Sequence, residues 1–180
     1  MRSFLFVPGD STRKFESAKK TAADALILDL EDSIAPDQKV VARGITREML
    51  DARNPEQKLY IRVNALDTDL TLGDLAAVMP GKPDGIVLPK CAGAADVNKL
   101  ALYLDAQGTT RIITVATETA RAVLKILDFE NMSPRLWGMM WGAEDLAASL
   151  GATRNRTDGR YHSPFILARD LCLIGAAAAA

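Results

Sequence analysis

The 180-residue chain is 48% hydrophobic and 25% charged, with a net charge of −1 and one histidine. That length suffices for one domain with a substantial core, and the near-neutral balance supplies no electrostatic pull toward nucleic acid or a membrane surface. Two distant cysteines, Cys91 and Cys172, without neighbouring histidine, argue against a zinc site or a disulfide framework, and no apolar run approaches the roughly 20 residues of a membrane helix or forms a signal-peptide core; a reduced, cytoplasmic protein is expected.

In chain order, short apolar runs at residues 3–9, 25–31, 58–64, 85–90, 111–118 and 137–143 each end in Gly, Pro or a charged or amide residue. Such runs predict buried parallel strands that deliver polar groups at their C-terminal ends. Helical patterns alternate with them at 11–20, 36–52, 75–79, 94–106, 119–127 and from 163 into the terminal alanines. Pro36 and Pro164 suit a first helical turn. The pattern places Val97, Leu100, Ala101 and Leu104 on one helix face, and Val123, Leu124 and Leu127 on another.

Strands alternating with helices predict a parallel α/β fold. Polar residues at every strand's C-terminal end, and no Gly-x-Gly-x-x-Gly turn after the first strand, favour a TIM-type (β/α)8 barrel over a doubly wound sheet. Six β/α units are visible, whereas a closed barrel takes about 250 residues. The expectation is a single, incomplete TIM-barrel catalytic domain over residues 1–180. Its C-terminal units are missing or supplied by oligomerisation.

The fifth and sixth runs end in Thr117-Glu118-Thr119 and Gly142-Ala143-Glu144-Asp145. If these strands are neighbours, their tips lie about 4.8 Å apart, within reach of one hard cation held by Glu118 and Asp145. Helix capping is the competing role for both acids, and Glu144 is the alternative to Asp145. Arg62, near the end of a buried strand, requires an acidic partner. Asp29, Glu31 and Asp32 form an acidic cluster, with alternation sending Asp29 and Glu31 to one face. Lys90 could form a Schiff base in another class of aldolase, against a structural or electrostatic role. The basic segment 153–162 is either a solvated connection or a cover for the site, with His162 structural. Trp137, Met139, Met140 and Trp141 read as core.

Arg2-Ser3-x-Leu5-Phe6-Val7-Pro8-Gly9, Leu28-Asp29-Leu30-Glu31-Asp32-Ser33, Arg62-Val63-Asn64, Leu88-Pro89-Lys90, Glu118-Thr119-Ala120 and Gly142-Ala143-Glu144-Asp145-Leu146 occur in that order. Together they resemble the citrate lyase beta subunit and its relatives, the malyl-CoA and citramalyl-CoA lyases of the HpcH/HpaI aldolase superfamily. The resemblance implies a Mg2+-dependent carbon–carbon lyase that cleaves a 3-hydroxyacyl thioester to an acyl-CoA and an oxo acid. It implies Glu118 and Asp145 as metal ligands and Arg62 as the grip on the thioester or oxo-acid oxygen. Glu31 and Asp32 become catalytic acids beside the metal water, and the Gly142 and Ala143 backbone a contact for the oxo-acid carboxylate. It also implies an acyl-CoA or acyl-carrier-protein thioester as substrate, and a homo-oligomer, trimeric or hexameric. Relatives carry a seventh strand with an Ile-Asp or Phe-Asp pair that this sequence lacks. The competing readings are a metal-dependent aldolase on free oxo acids, and a noncatalytic subunit that binds an acyl carrier protein.

Overall fold

All six apolar runs fold as strands of four or five residues; the middle four bury most of their side chains, and the first and last do so only in part. In the computed structural model, which describes residues 1–104 and 108–179, the chain forms two compact units, Met1–Val87 with Tyr103–Arg111 and Leu88–Leu102 with Ile112–Ala180. The α/β class expected from the alternation holds. No helix among the described residues is long and apolar enough to cross a membrane.

The first unit holds strands β1 (Phe4–Pro8), β2 (Ala25–Asp29), β3 (Lys58–Arg62) and β4 (Gly85–Leu88), paired in that order and parallel. All five residues of β2 are buried, as are Leu59, Tyr60 and Ile61 of β3. In β1, by contrast, Leu5 and Phe6 are exposed. The helices are α1 (Thr12–Ala18), α2 (Lys39–Asp51), which follows a 3-10 turn at Pro36–Gln38, and α3 (Thr71–Val78). The helix expected at 75–79 thus starts earlier, because the Thr71 hydroxyl donates to the Asn64 and Ala65 carbonyls and fixes its first turn. At the start of β4 a Cβ on Gly85 would lie 2.6 Å from the Tyr60 ring, so only glycine lets that ring pack there.

The second unit holds α4 (Ala94–Tyr103), β5 (Arg111–Val115), α5 (Ala120–Leu124), β6 (Leu136–Met140), α6 (Glu144–Ser149), the hairpin strands β7 (Arg156–Thr157) and β8 (Arg160–Tyr161), and α7 (Ser163–Ala178). Strands β5 and β6 pair in parallel, with a register shift at Ile112/Ile113. Val97, Leu100 and Leu104 are buried as the periodicity requires. Residues 105–106 of that predicted helix lie outside the described residues.

Two expectations in this unit are corrected. Leu124 is 85% and Leu127 69% exposed; α5 ends at Leu124 and the 3-10 segment Ile126–Asn131 follows, which turns Ile126 and Phe129 inward instead. Trp137, read as core, is 40% exposed, and Met139, Met140 and Trp141 are only partly buried. Trp141 packs against a cluster of Ala143, Leu146, Ala147, Phe165 and Ala168, meeting Tyr161 edge-to-face at 4.9 Å. The 153–162 segment contains the β7–β8 hairpin, and His162 bonds Thr157 Oγ1 at 2.9 Å and the Asn155 carbonyl through its N–H, a structural placement.

Candidate functional site

Each unit carries one cluster of charged side chains at the C-terminal ends of its strands, where the chain leaves the sheet and its polar groups escape the ladder. In the first unit, β2 and β3 bring Asp29 and Arg62 into direct register. A charge at such a position is tolerated only when paired. Arg62 Nε and Nη2 donate to the two Asp29 oxygens at 2.7 and 2.8 Å, a two-pronged pair. Its Nη1 lies 3.0 Å from Glu31 Oε2 and 3.3 Å from Asp32 Oδ2. Phe6 places its ring 4.9 Å from the guanidinium carbon.

The strand ends at Asp29, which releases the next residues from alternation and lets Glu31 and Asp32 both turn toward Arg62. Asp29 also caps its own turn, accepting from the N–H of Glu31 at 2.9 Å and of Ser33 at 3.1 Å. Burial pushes the Asp29 carboxyl up, but Arg62 and the bonds from Ser33 and Glu31 outweigh it and hold the group below its ordinary value. Burial likewise works against the Arg62 charge, and Asp29, Glu31 and Asp32 more than offset it.

Behind these residues lies a second tier. Asp74 is fully buried on the inner face of α3 and accepts from Arg43 Nε at 2.8 Å, the Asn64 N–H at 2.8 Å and Asn64 Nδ2 at 2.7 Å. Asn64 Nδ2 also reaches the Leu30 carbonyl at 3.0 Å. Lys39 Nζ donates to the same carbonyl at 2.8 Å and to that of Glu31 at 2.6 Å. Burial lowers the Lys39 ammonium's pKa, against the pull of Asp29, Glu31, Asp74 and Asp32.

In the second unit, Glu118 follows β5 and is only 3% exposed. It is not the cap of α5: Thr119 is, its hydroxyl accepting from the Ala122 N–H at 3.1 Å. Glu118 instead accepts from the backbone N–H of Lys90, which sits at φ +51°. A Cβ on Gly142 would lie 2.6 Å from Glu118 Cγ, so the glycine leaves the room that the carboxylate side chain fills. The Gly142 N–H is bonded to Thr117 Oγ1 at 3.1 Å.

Asp145 stands in the first turn of α6, half-buried, with Oδ1 3.8 Å from Lys90 Nζ, while Glu144 is exposed. Of that acidic pair, Asp145 is therefore the one turned toward the cluster. Lys90 meets Glu118 through its backbone and Asp145 through its ammonium. Among the described residues no three His, Cys, Asp or Glu side chains converge on one metal-sized position. Two carboxylates fit magnesium, which takes oxygen ligands and keeps several waters, and would not fit a metal that needs an all-protein cage.

The sequence reading named Arg62 and the acidic cluster of Asp29, Glu31 and Asp32 without their pairing, and missed two supporting residues, Asp74 and Lys39. Asp29 was visible as the last strand residue before the acidic pair, and only the β2–β3 register reveals it as the main partner of Arg62. Asp74 had a signal in retrospect, being an acid on the same helix face as Thr71, Leu75 and Val78. Lys39 had none, because a lysine at a helix start reads as solvated.

The profile of the family described as HpcH/HpaI aldolase/citrate lyase matches residues 2–170. A (3S)-malyl-CoA thioesterase of Cereibacter sphaeroides (strain KD131 / KCTC 12085) is 37% identical over 158 residues, 87% of this chain and 53% of that protein. An L-malyl-CoA/beta-methylmalyl-CoA lyase of C. sphaeroides (strain ATCC 17029 / ATH 2.4.9) is 34% identical over 176 residues, covering 92% of this chain and 55% of the relative. The crystal structure of protein CitE from Mycobacterium tuberculosis, in complex with magnesium, acetoacetate and coenzyme A, superposes with a TM-score of 0.82 at 36% identity, over 98% of this chain and 61% of that one. The chain thus spans about half the length of these curated relatives.

Proposed function

This chain belongs to the HpcH/HpaI aldolase/citrate lyase family, and on that premise we propose that it is a magnesium-dependent lyase of 3-hydroxyacyl-CoA esters, releasing an acyl-CoA and an oxo acid. We further propose that its strands form part of a (β/α)8-type catalytic domain. The observation that carries the reading is Glu118: a nearly fully buried carboxylate at a strand's C-terminal end, given room by Gly142 and held by the Lys90 N–H, with Asp145 nearby on the same lysine. A buried acid with that support suits a bound cation better than a helix cap. The solved CitE relative binds magnesium.

In this reading Glu118 and Asp145 hold magnesium, which when bound supplies Lewis-acid stabilisation of the oxygen charge on the departing oxo acid. The chain's own residues do the rest. One carboxylate of the Glu31 and Asp32 pair takes the proton from the substrate's 3-hydroxyl; the bond between C2 and C3 of the acyl group breaks, and its electron pair passes into the thioester carbonyl as an enolate. Return of that proton to C2 then yields the acyl-CoA. Arg62, its plane fixed by Asp29, supplies permanent positive charge toward the oxygen on which the enolate develops. The Gly142–Ala143 backbone takes the oxo-acid carboxylate through the Ala143 N–H, the Gly142 N–H being held by Thr117 Oγ1.

A second reading, hydrolysis of the thioester, is favoured by the similarity to a malyl-CoA thioesterase. One assay separates them. With malyl-CoA and magnesium, a lyase produces glyoxylate, trapped as its hydrazone, and no free thiol. A thioesterase releases CoA thiol and no glyoxylate. Turnover of free oxo acids that CoA does not inhibit would favour a simple aldolase. No turnover together with capture of an acyl carrier protein would favour a noncatalytic subunit. The CoA ester as substrate and a homo-oligomeric assembly are parts of the proposal, the latter read out by light scattering.

A further inference from the structure

The first residue of an α-helix is a poor place for a cation, because the helix dipole is positive there. Lys39 occupies that place in α2, and its ammonium does not extend into solvent. It bends back to the end of β2 and donates to two successive carbonyls, Leu30 at 2.8 Å and Glu31 at 2.6 Å. A residue that breaks a local rule in this way needs a compensating gain.

The gain lies in what those carbonyls control. The Leu30 carbonyl also takes Asn64 Nδ2 at 3.0 Å, and the Glu31 carbonyl takes the Ile34 N–H at 3.1 Å. On the other side of the same turn, the Glu31 and Ser33 N–H groups are held by Asp29. The backbone from 30 to 34 is therefore pinned from both sides, and the Glu31 and Asp32 side chains leave it toward Arg62 at 3.0 and 3.3 Å. Three carboxylates, Asp29, Glu31 and Asp32, face one guanidinium, and the Lys39 ammonium adds the second positive charge to that end of the strand.

We propose that Lys39 is a positioning residue: by clamping the Leu30 and Glu31 carbonyls it sets the direction in which Glu31 and Asp32 meet Arg62 and the substrate. The catalytic part of this rests on the lyase reading above; the positional part does not. Lysine suits the role because its compact ammonium carries three donors on one nitrogen and so serves two carbonyls from one point.

The test uses Lys39→Met together with Lys39→Cys, assayed before and after aminoethylation with bromoethylamine, which rebuilds the ammonium one sulfur away from native chemistry. The two native thiols do not interfere: burial pushes Cys91 up to about 12 and Cys172 up to about 11, so neither offers thiolate at neutral pH. Two readouts are taken on the same folded preparations, turnover of malyl-CoA at saturating magnesium and backbone hydrogen exchange at residues 30–34. Lys39→Met and unmodified Lys39→Cys lower kcat on the order of 10–100-fold, the range for loss of an outer-sphere support. KM changes less than about threefold by the same reasoning, since substrate contacts are kept. Exchange at 30–34 accelerates, and aminoethylation restores both readouts.

Loss of thermal stability with unchanged kcat would overturn the proposal in favour of a merely structural lysine. So would a lost kcat that aminoethylation fails to restore. If the parent protein turns over no CoA ester, the lyase reading fails, and exchange alone then decides: faster exchange at 30–34, reversed by aminoethylation, upholds the clamp, and unchanged exchange refutes it.

Discussion

The two charged clusters are built in opposite ways. Around Arg62 the charges satisfy one another, with a two-pronged pair to Asp29, further contacts to Glu31 and Asp32, and a tier of Lys39, Asn64 and Asp74 behind. Around Glu118 stand the Lys90 N–H, the space left by the missing side chain of Gly142, and an ammonium 3.8 Å from Asp145. The first is a finished electrostatic structure that lends stability and fixes a positive charge in place. The second sets Asp145 at the long end of ion-pair distance from the Lys90 ammonium, an arrangement that a divalent cation could join. Preorganisation and exchangeability are thus divided between the clusters.

Removing Arg62 should break this contrast most severely. Arg62→Met leaves three carboxylates at one strand end without their guanidinium, and breaking a buried pair in that way costs about 3–5 kcal/mol; urea unfolding should register the loss directly. Glu118→Gln should do the reverse, leaving the unfolding midpoint close to the parent while magnesium-dependent turnover falls about 10²–10³-fold, the scale for removing one electrostatic stabiliser. A stability loss as large as that of Arg62→Met would mean that Glu118 belongs to the self-contained kind of cluster.

Asp145→Asn sharpens the comparison further. Its half-exposed carboxylate should contribute under about 0.5 kcal/mol to folding, while titration calorimetry with magnesium and pyruvate should find affinity reduced about 10–100-fold. The smallest effect concerns pH. Because Asp29 titrates below its ordinary value in the folded chain, its carboxylate adds stability that is fully present above the ordinary carboxylate range and is lost as pH falls through the lowered folded value. The stability gap between the parent and Asp29→Asn should therefore stay level from pH 7 down to the ordinary carboxylate range and narrow as pH falls below it, as measured by urea midpoints. A gap that does not narrow at all below that range would assign the effect to packing instead.

Much of this organisation was legible in the sequence, for reasons that also mark the limits. Strands were found because a buried run such as Ala25–Asp29 must be apolar along its whole length, and the acids were found because they interrupt such runs at the end. Capping chemistry could not separate Glu118 from Thr119, since both are good residues at a helix start; the geometry gives the cap to Thr119. Faces failed where an element changed type. Val123, Leu124 and Leu127 keep helical spacing on paper, yet the switch to a 3-10 turn after Leu124 rotates the inward direction onto Ile126 and Phe129. Trp137 failed differently, because hydrophobicity reports what a residue prefers and not which neighbours cover it. Partners such as Asp29 for Arg62 and Asp74 for Asn64 depend on pairing register and helix placement, which no local pattern encodes.

The order of the strands in the first unit bears on how the chain acquires its fold. β1, β2, β3 and β4 pair in the order in which a ribosome produces them, so each new strand docks on an edge that already exists. No distant segment has to be awaited before pairing begins, which keeps the loop-closure cost of each step low. The Arg62 pair can therefore close as soon as β3 has emerged, and nascent chains arrested once β3 has cleared the ribosome should already protect the β2 amides from exchange.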